Sequence, residues 1–191
     1  MTDKPVAEPG RIASQRVYSG KVVSLDVDTV QFPNGATGEL EIIRHAGASA
    51  VVPFLDHIHG DDPQVLLIRQ YRYAASGFVY EVPAGLLNEG ETAEACARRE
   101  LREETGYSAE DVFPLATFFT TPGFTDERIH LFGATGLTPG QPELESDEFV
   151  ELCPFPLKTA VRMIESGEIV DGKTMIALLL VARITKSGKP L

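Results

Sequence analysis

One stretch of the chain concentrates acidic and basic residues: Gly85–Tyr107, GLLNEGETAEACARRELREETGY, called the acidic segment below. An α-helix turns 100° per residue, so Glu104 lies about 40° to one side of Glu100 and Glu103 about 60° to the other. The three carboxylates therefore share one stripe, beside the side that carries Leu101. Because crowded carboxylates next to an apolar face repel one another and are costly to desolvate, the pattern predicts neutralising cations. Hard divalent ions such as Mg²⁺ prefer carboxylate oxygens.

An ordinary solvated helix is the alternative interpretation of the acidic segment. Glu94 and Arg98 make a normal i,i+4 pair, and acid-rich helices mostly face water. Two features favour a site that holds ligands: the inward angle of the acids, and the Pro-Ala-Gly loop with Glu91 that leads into the helix. Arg99, on the flank of Glu103, is expected to orient that carboxylate through a charge-assisted pair.

The residue order of the acidic segment resembles the complete signature of the Nudix hydrolases. The matching positions are Gly85, five residues, Glu91, seven residues, Arg99-Glu100-Leu101, Arg102, Glu103-Glu104, Thr105 and Gly106-Tyr107. The resemblance implies a divalent metal site of two or three Mg²⁺ ions, with Mn²⁺ as a substitute. It implies that the metal ligands are Glu100, Glu103, Glu104 and the backbone carbonyl of Ala84. It also implies that Arg99 orients the carboxylates, that Glu91 supports the loop or reaches metal through water, and that Gly85 and Gly106 are structural.

Sequence outside the acidic segment resembles the ADP-ribose pyrophosphatase subgroup of that family. Pro122 lies sixteen residues after Gly106 in TTPGFTDERIHLF, and RQYRYA, YEVPAG and LESDEFVE are similar to the subgroup as well. The resemblance implies hydrolysis of ADP-ribose or a related ADP-sugar to AMP and ribose 5-phosphate, with a loop glutamate as general base. Glu148 is the preferred base, and Glu145 is the alternative because Ser146 interrupts the acidic run. Two rival functions stay open: hydrolysis of another nucleotide sugar such as GDP-mannose, and non-catalytic nucleotide sensing.

Several residues outside the acidic segment are candidates for substrate contacts. Arg69 and Arg72 flank a strand end and are expected to meet phosphate or ribose oxygens, with a surface ion pair as the alternative. Glu81 is expected to accept a hydrogen bond from adenine or ribose, unless it is a solvated glutamate at a strand edge. Phe124 or Tyr71 is expected to stack on a base, although buried core aromatics are commoner.

The elements that must position these residues form an α+β pattern. Strand-like sequence runs over 17–32, and an Asn34-Gly35 turn leads into a returning strand, which predicts a hairpin. Further strands are predicted at 49–55, 64–72, 78–85, 115–120, 129–134 and 149–154, and helices at 92–105, 156–166 and 174–184. This mixture predicts a mixed sheet with helices, and the family resemblance implies an α/β/α sandwich. Residues 1–47 are expected to be a dimerising N-terminal strand extension, and residues 48–191 the Nudix domain.

Composition limits the partners of the chain. The net charge of −11 over 191 residues argues against a nucleic-acid-binding face. Two cysteines outside any CxxC pattern, and an N-terminus without a signal-peptide layout, predict a reduced, cytoplasmic protein. The longest strongly apolar run, Met175–Ala182, is short of the roughly 20 residues that span a bilayer. The expected partners are therefore a small nucleotide-sugar substrate and a second copy of the chain, without nucleic acid or membrane.

Overall fold

The computed structural model describes residues 9–144 and 149–187, and its contacts divide the chain into two compact units. One unit is built from residues up to Gly47 together with Phe119–Arg128. The other is built from Ala48–Phe118 and from Ile129 onward. None of the helices in the described ranges is long and apolar enough to cross a membrane.

The first unit contains an antiparallel sheet of β1 (Gly10–Ser19), β2 (Val23–Gln31) and β3 (Thr37–His45), in that order. The predicted hairpin is confirmed between β2 and β3, where Gly35 has a φ of +82°. The prediction of one strand-like stretch over 17–32 was wrong, because that stretch contains the end of β1, a turn and β2. All ten residues of β1 are exposed, so this strand lacks the apolar alternation that marks a half-buried strand.

The second unit contains two sheets and the helices. Its elements are β4 (Ala48–Pro53), β5 (Gln64–Arg72), β6 (Gly77–Glu81), β7 (Ala84–Leu86), α1 (Ala93–Thr105), β8 (Ser108–Phe119), β9 (Arg128–Thr138), β10 (Val150–Pro156), α2 (Leu157–Glu165) and α3 (Gly172–Ser187). One sheet has the order β10-β5-β6, and the other has the order β7-β4-β9-β8. The second sheet is mixed, because β4 pairs antiparallel with β7 and parallel with β9.

Strand β4 lies between helices on both faces. Ala50, Val52 and Phe54 pack in a core that also contains side chains of α2 and α3. Val51 points the other way and packs with Ala97 and Leu101 of α1. A strand whose consecutive residues are buried must be packed against other elements on both faces. This explains the continuous apolar run of β4. The α+β class and the sandwich around a mixed sheet are thereby confirmed.

The predicted helices and most strands are present, but several boundaries differ. The stretch predicted as one strand over 78–85 forms two strands, β6 and β7, and β9 continues to Thr138 beyond the predicted end at residue 134. Strand β8 begins at Ser108 and not at residue 115. Its first half was not predicted because exposed and half-buried residues alternate irregularly there. Helix α3 begins at Gly172 and not at residue 174. The start of α3 matters for the site, since the two extra residues include Lys173.

Candidate active site

Helix α1 is fixed at both ends by local hydrogen bonds. Thr92 caps its start by accepting a hydrogen bond from the Ala95 N–H at 3.2 Å. Gly106 ends it with a φ of +78°, and its N–H donates to the Arg102 carbonyl. A Cβ at Gly106 would also lie 2.8 Å from the Gly140 carbonyl oxygen, so two requirements favour glycine there. The acidic segment is therefore presented on a helix with defined ends.

Arg99 connects the carboxylates of the acidic segment. Its Nε and Nη2 atoms donate to the two oxygens of Glu91 at 2.9 and 3.0 Å. Its Nη1 atom donates to Glu100 Oε1 at 2.5 Å and to Glu103 Oε2 at 3.0 Å, while Nη2 also reaches the Leu86 carbonyl at 2.9 Å. The hydrogen bond to Glu91 is the largest cause of the raised pKa of Arg99, and it lowers the pKa of Glu91 in return. One guanidinium thus sets the positions of three acids.

Glu104 lies at the inner end of the stripe and is 2% exposed. Its Oε2 atom accepts a hydrogen bond from the Ala84 N–H at 2.9 Å. Ala84 pairs with Ala50 of β4, but the neighbouring Val51 N–H donates to Pro83, so Ala84 occupies a non-hydrogen-bonded position of the ladder. Because the N–H and C=O of a strand residue point to the same side, the Ala84 carbonyl also faces away from β4.

Glu100 lies directly over Gly85. A Cβ at Gly85 would be 2.0 Å from Glu100 Oε1 and 2.2 Å from its carboxyl carbon, so the glycine makes room for the carboxylate. Gly85 has no positive φ, and space alone explains the residue type. The backbone of β7 and the carboxylates of α1 are therefore in contact across the loop that joins them.

The donor set of this region fits a hard divalent cation. Carboxylate and carbonyl oxygens are the ligands that Mg²⁺ takes, and Glu100, Glu103, Glu104 and the Ala84 carbonyl are the groups predicted to supply them. Within residues 9–144 and 149–187, no group of three His, Cys, Asp or Glu side chains is arranged to hold a metal ion. The guanidinium of Arg99 is hydrogen-bonded instead to Glu100 and Glu103. Glu103 retains 29% side-chain exposure at the edge of the stripe.

A second charged cluster lies on β5 and β6. Arg72 Nε and Nη2 donate to the two oxygens of Glu81 at 2.7 and 2.9 Å, and Lys173 of α3 also contacts Glu81 Oε2. Glu81 is 2% exposed, and its burial would raise its pKa. The hydrogen bond from Arg72 and the charge of Lys173 outweigh burial, so the pKa of Glu81 is lowered. The hydrogen bonds that Arg72 donates to Glu81 are the main cause of the raised pKa of Arg72, and the negative charge of Glu104 adds to it.

Comparison with known proteins agrees with this geometry. A family model described as NUDIX domain matches residues 45–178. The chain belongs to the Nudix family. It is 39% identical to the ADP-ribose pyrophosphatase of Bacillus subtilis (strain 168), over 90% of this chain and 91% of that protein. It is 41% identical to the methanol dehydrogenase activator of Bacillus methanolicus, over 90% of this chain and 91% of that protein. The crystal structure of an ADP compounds hydrolase has a similar fold, with a TM-score of 0.80, 23% identity, and coverage of 98% of this chain and 100% of that one.

The two arginines predicted on β5 lie on opposite faces of the strand in this Nudix chain. Residues three apart on a strand point to opposite sides, and Arg69 faces Phe78, whose ring centre is 4.5 Å from its guanidinium carbon. Arg69 also forms an exposed pair with Glu151 at 3.3 Å, and Tyr71 packs edge-on against Phe78. Of these two arginines, Arg72 is the one that contacts Glu81.

Other predicted residues fall elsewhere in the Nudix chain. Pro122 and Phe124 belong to the first unit, where the Phe124 carbonyl accepts a hydrogen bond from Ile43 N–H at 2.8 Å and the Phe124 side chain is half-exposed. Both candidates for the general base, Glu145 and Glu148, lie outside the described residues. Their roles stay predictions.

Sequence reasoning missed Lys173 and Gln70. A lysine in the first turn of a helix is opposed by the helix dipole, and that conflict was an available signal for a buried anionic partner. Gln70 is 5% exposed, and its Oε1 atom has no hydrogen-bond partner among the described residues. No sequence pattern in this strand shows whether the buried amide of Gln70 has a hydrogen-bond partner.

Proposed function

We propose that this Nudix chain hydrolyses the diphosphate bond of ADP-ribose, or of a related ADP-sugar, to AMP and ribose 5-phosphate. The observation that carries the proposal is the hydrogen-bonded assembly of Arg99 with three acids of the acidic segment, beside buried Glu104. The 39% identity to a protein named ADP-ribose pyrophosphatase, over nine-tenths of each chain, supports the substrate.

We assign the metal site to the carboxylates of Glu100, Glu103 and Glu104 and the carbonyl of Ala84. Bound Mg²⁺ would neutralise the charge of the diphosphate and make an attacking water more acidic. For its carboxylate to become a ligand, Glu103 would have to give up the hydrogen bond from Arg99 Nη1, while the two hydrogen bonds from Arg99 to Glu91 would be kept. Arg99 thus holds the loop and the helix together in either arrangement.

Substrate binding is assigned to Arg72, whose guanidinium is held by Glu81 and is 43% exposed. A planar guanidinium matches phosphate oxygens, and it supplies local positive charge in a chain of net charge −11. The proton of the attacking water passes to a loop glutamate, Glu148 or Glu145. Because the carboxylates of the acidic segment act as ligands, the proposed reaction has no covalent enzyme intermediate.

The proposal is tested by incubating the protein with Mg²⁺ and a panel of nucleotide sugars, and releasing phosphate from the monophosphate products with a phosphatase. The expected result is preferential turnover of ADP-ribose, abolished by Glu104→Gln and retained by Glu94→Gln. Glu94 is the matched control, since it lies on the same helix in an exposed pair with Arg98. Preferential turnover of GDP-mannose would overturn the substrate, and bound ADP-ribose without any turnover would overturn the enzyme.

The two base candidates are separated by metal affinity. Glu148→Gln is expected to remove most of the turnover while leaving Mn²⁺ binding within a few-fold of the unsubstituted chain, and Glu145→Gln is expected to be mild. A large loss of Mn²⁺ affinity in Glu148→Gln would make that residue a ligand and not a base. If Glu145→Gln alone abolished turnover, the assignment would be reversed.

We propose further that the chain is a cytoplasmic homodimer paired through its N-terminal strands. The fully exposed strand β1 supports this proposal, because Ile12, Val17 and Tyr18 each expose more than half of their surface. Exposed apolar side chains on an edge strand favour pairing with another chain. Sedimentation equilibrium is expected to give twice the chain mass, and a monomer at working concentration would remove the proposal.

A second candidate function comes from the relative named methanol dehydrogenase activator, which is 41% identical over 90% of this chain. The chain would then activate a dehydrogenase. The test adds the protein to a methanol-oxidising dehydrogenase and measures the rate, with Glu104→Gln as a comparison. Activation by both forms would indicate a binding role, activation by the unsubstituted form alone would link it to hydrolysis, and no change would exclude this candidate for that dehydrogenase.

A further inference from the structure

Lys173 places a nearly buried positive charge at the start of α3. Its side chain is 13% exposed, and its ammonium contacts Glu81 Oε2 and, at 3.0 Å, Asp171 Oδ1. The N-terminal end of a helix carries a partial positive charge, so a lysine there is disfavoured unless anions surround it. The two carboxylates satisfy that requirement, and the arrangement indicates a role for the charge beyond solubility.

The first turn of α3 is locked against the end of β6. Asp171 Oδ2 accepts hydrogen bonds from the Thr174 N–H at 2.9 Å and from the Thr174 hydroxyl at 2.6 Å. The Thr174 oxygen in turn accepts the Val82 N–H at 2.9 Å, and Thr174 is fully buried. Val82 directly follows Glu81, so the position of Lys173 relative to Glu81 is set by backbone contacts on both sides.

The charges alternate along a chain of contacts that ends at solvent. Asp171 contacts Lys173, Lys173 contacts Glu81, and Glu81 holds Arg72 through two hydrogen bonds. Within the described part of the molecule, Arg72 donates to no other group. Its Nη1 edge is therefore available to a ligand. Lys173 and Arg72 Nη2 share Glu81 Oε2, so Lys173 restricts the rotamer that sets the plane of the guanidinium.

We infer that Lys173 is a positioning residue, which acts through Glu81 to aim the free edge of Arg72 at the diphosphate of the substrate. The inference rests on the proposed function for the identity of the ligand. Without the ammonium, Glu81 has a single cationic partner and regains rotational freedom, and Arg72 moves with it. The consequence falls on binding of the diphosphate and not on the metal ligands, which belong to the acidic segment.

The kinetic test compares Lys173→Met with Lys158→Met. Lys158 is the matched control, because its side chain is half-exposed and its ammonium pairs with Asp61 at the surface. Lys173→Met is expected to raise KM for ADP-ribose about tenfold or more while kcat stays within about threefold, and Lys158→Met to leave both unchanged. Lys173→Gln, which keeps a hydrogen-bond donor without the charge, is expected to lie between.

A double substitution separates positioning from a general structural effect. In an Arg72→Ala background, Lys173→Met is expected to change KM by less than twofold, because the group on which it acts is absent. An equal rise of KM in both backgrounds, or an unchanged KM in the single variant, would overturn the inference.

A spectroscopic readout decides the inference without any turnover. The ¹⁵N spectrum of arginine Nε groups contains an Arg72 signal, assigned by its loss in Arg72→Ala. The Nε hydrogen of Arg72 is expected to be protected from exchange with solvent in the unsubstituted chain. In Lys173→Met, the Arg72 signal is expected to shift and broaden. An unchanged signal would overturn the positioning role. If the unsubstituted chain turned over no nucleotide sugar, the proposed function would fail while this spectrum still tested Lys173.

Discussion

Replacing Gly85 by alanine should damage the site through one steric contact. The new Cβ would lie 2.0 Å from Glu100 Oε1, and side-chain contacts below about 3.0 Å are not tolerated, so the carboxylate must retreat by at least about 1 Å. That displacement also moves Glu100 Oε1 relative to Arg99 Nη1, which donates to it at 2.5 Å. A misplacement of about 1 Å in a catalytic site can cost about 100-fold in rate. We therefore expect kcat with ADP-ribose and Mg²⁺ to fall about 100-fold.

The assay measures kcat over a Mg²⁺ titration, and Mn²⁺ affinity is measured separately by electron paramagnetic resonance. Loss of a group that orients a ligand typically weakens metal binding by about 10- to 100-fold, and Gly85→Ala should do the same. Gly10→Ala is the control, since a Cβ at Gly10 meets no atom within 4 Å. A Gly85→Ala chain whose rate and Mn²⁺ affinity both stay within threefold of the unsubstituted chain would refute the proposed role of Glu100 in metal binding.

The remaining predictions concern the charged contacts and the unpaired amide. Arg99→Lys should lower the free energy of unfolding by about 2 kcal/mol, because lysine cannot reproduce the bidentate contact with Glu91. Arg102→Lys is the control, since the Arg102 side chain is half-exposed and lies 3.5 Å from Glu103, and it should change the free energy by less than about 0.5 kcal/mol. Urea denaturation measures both, and equal effects would contradict the prediction. Glu81→Gln should cost roughly 3 kcal/mol at neutral pH. The pKa of Glu81 is lowered in the folded chain, so the stabilisation from its charge is complete above the ordinary glutamate pKa of about 4.3 and is lost as the pH falls below that value. Urea titrations from pH 7 to pH 3 should show that the difference in free energy of unfolding between the unsubstituted chain and Glu81→Gln becomes smaller. A difference that stays constant over this range would contradict the prediction. Gln70→Met removes a buried carbonyl oxygen that has no partner among the described residues, and it should raise the free energy of unfolding by about 1 kcal/mol; a decrease of that size would show that the amide is paired.

The acidic segment was the most predictable part of this chain. Helical periodicity placed its three glutamates on one inward stripe, and the structure buries Glu100 and Glu104 as that angle requires. The prediction that Arg99 orients Glu103 needed only their four-residue spacing, and the contact is present at 3.0 Å. Local geometry is enough here because helix spacing and capping are properties of neighbouring residues.

Contacts between distant elements could not be predicted in the same way. Lys173 and Glu81 are far apart in sequence, and their meeting depends on how α3 docks against β6. The two arginines of β5 were treated as a pair, although strand alternation alone places Arg69 and Arg72 on opposite faces. Strand β1 escaped prediction because apolar alternation reports burial, and all of its residues are exposed.

The burial of Cys96 gives the site a built-in reporter of its own opening. Cys96 is fully buried, burial raises the pKa of its thiol to about 11, and the thiol donates weak hydrogen bonds to the Gly85 and Leu86 carbonyls. Thiol reagents attack the thiolate, so Cys96 is unreactive at neutral pH until β7 separates from α1. Cys153 is only partly buried and reacts first. The rate of the slow labelling phase, divided by the rate for an unfolded thiol, therefore gives the equilibrium constant for local opening at the candidate metal site. The logarithm of that constant gives the free energy of local unfolding there.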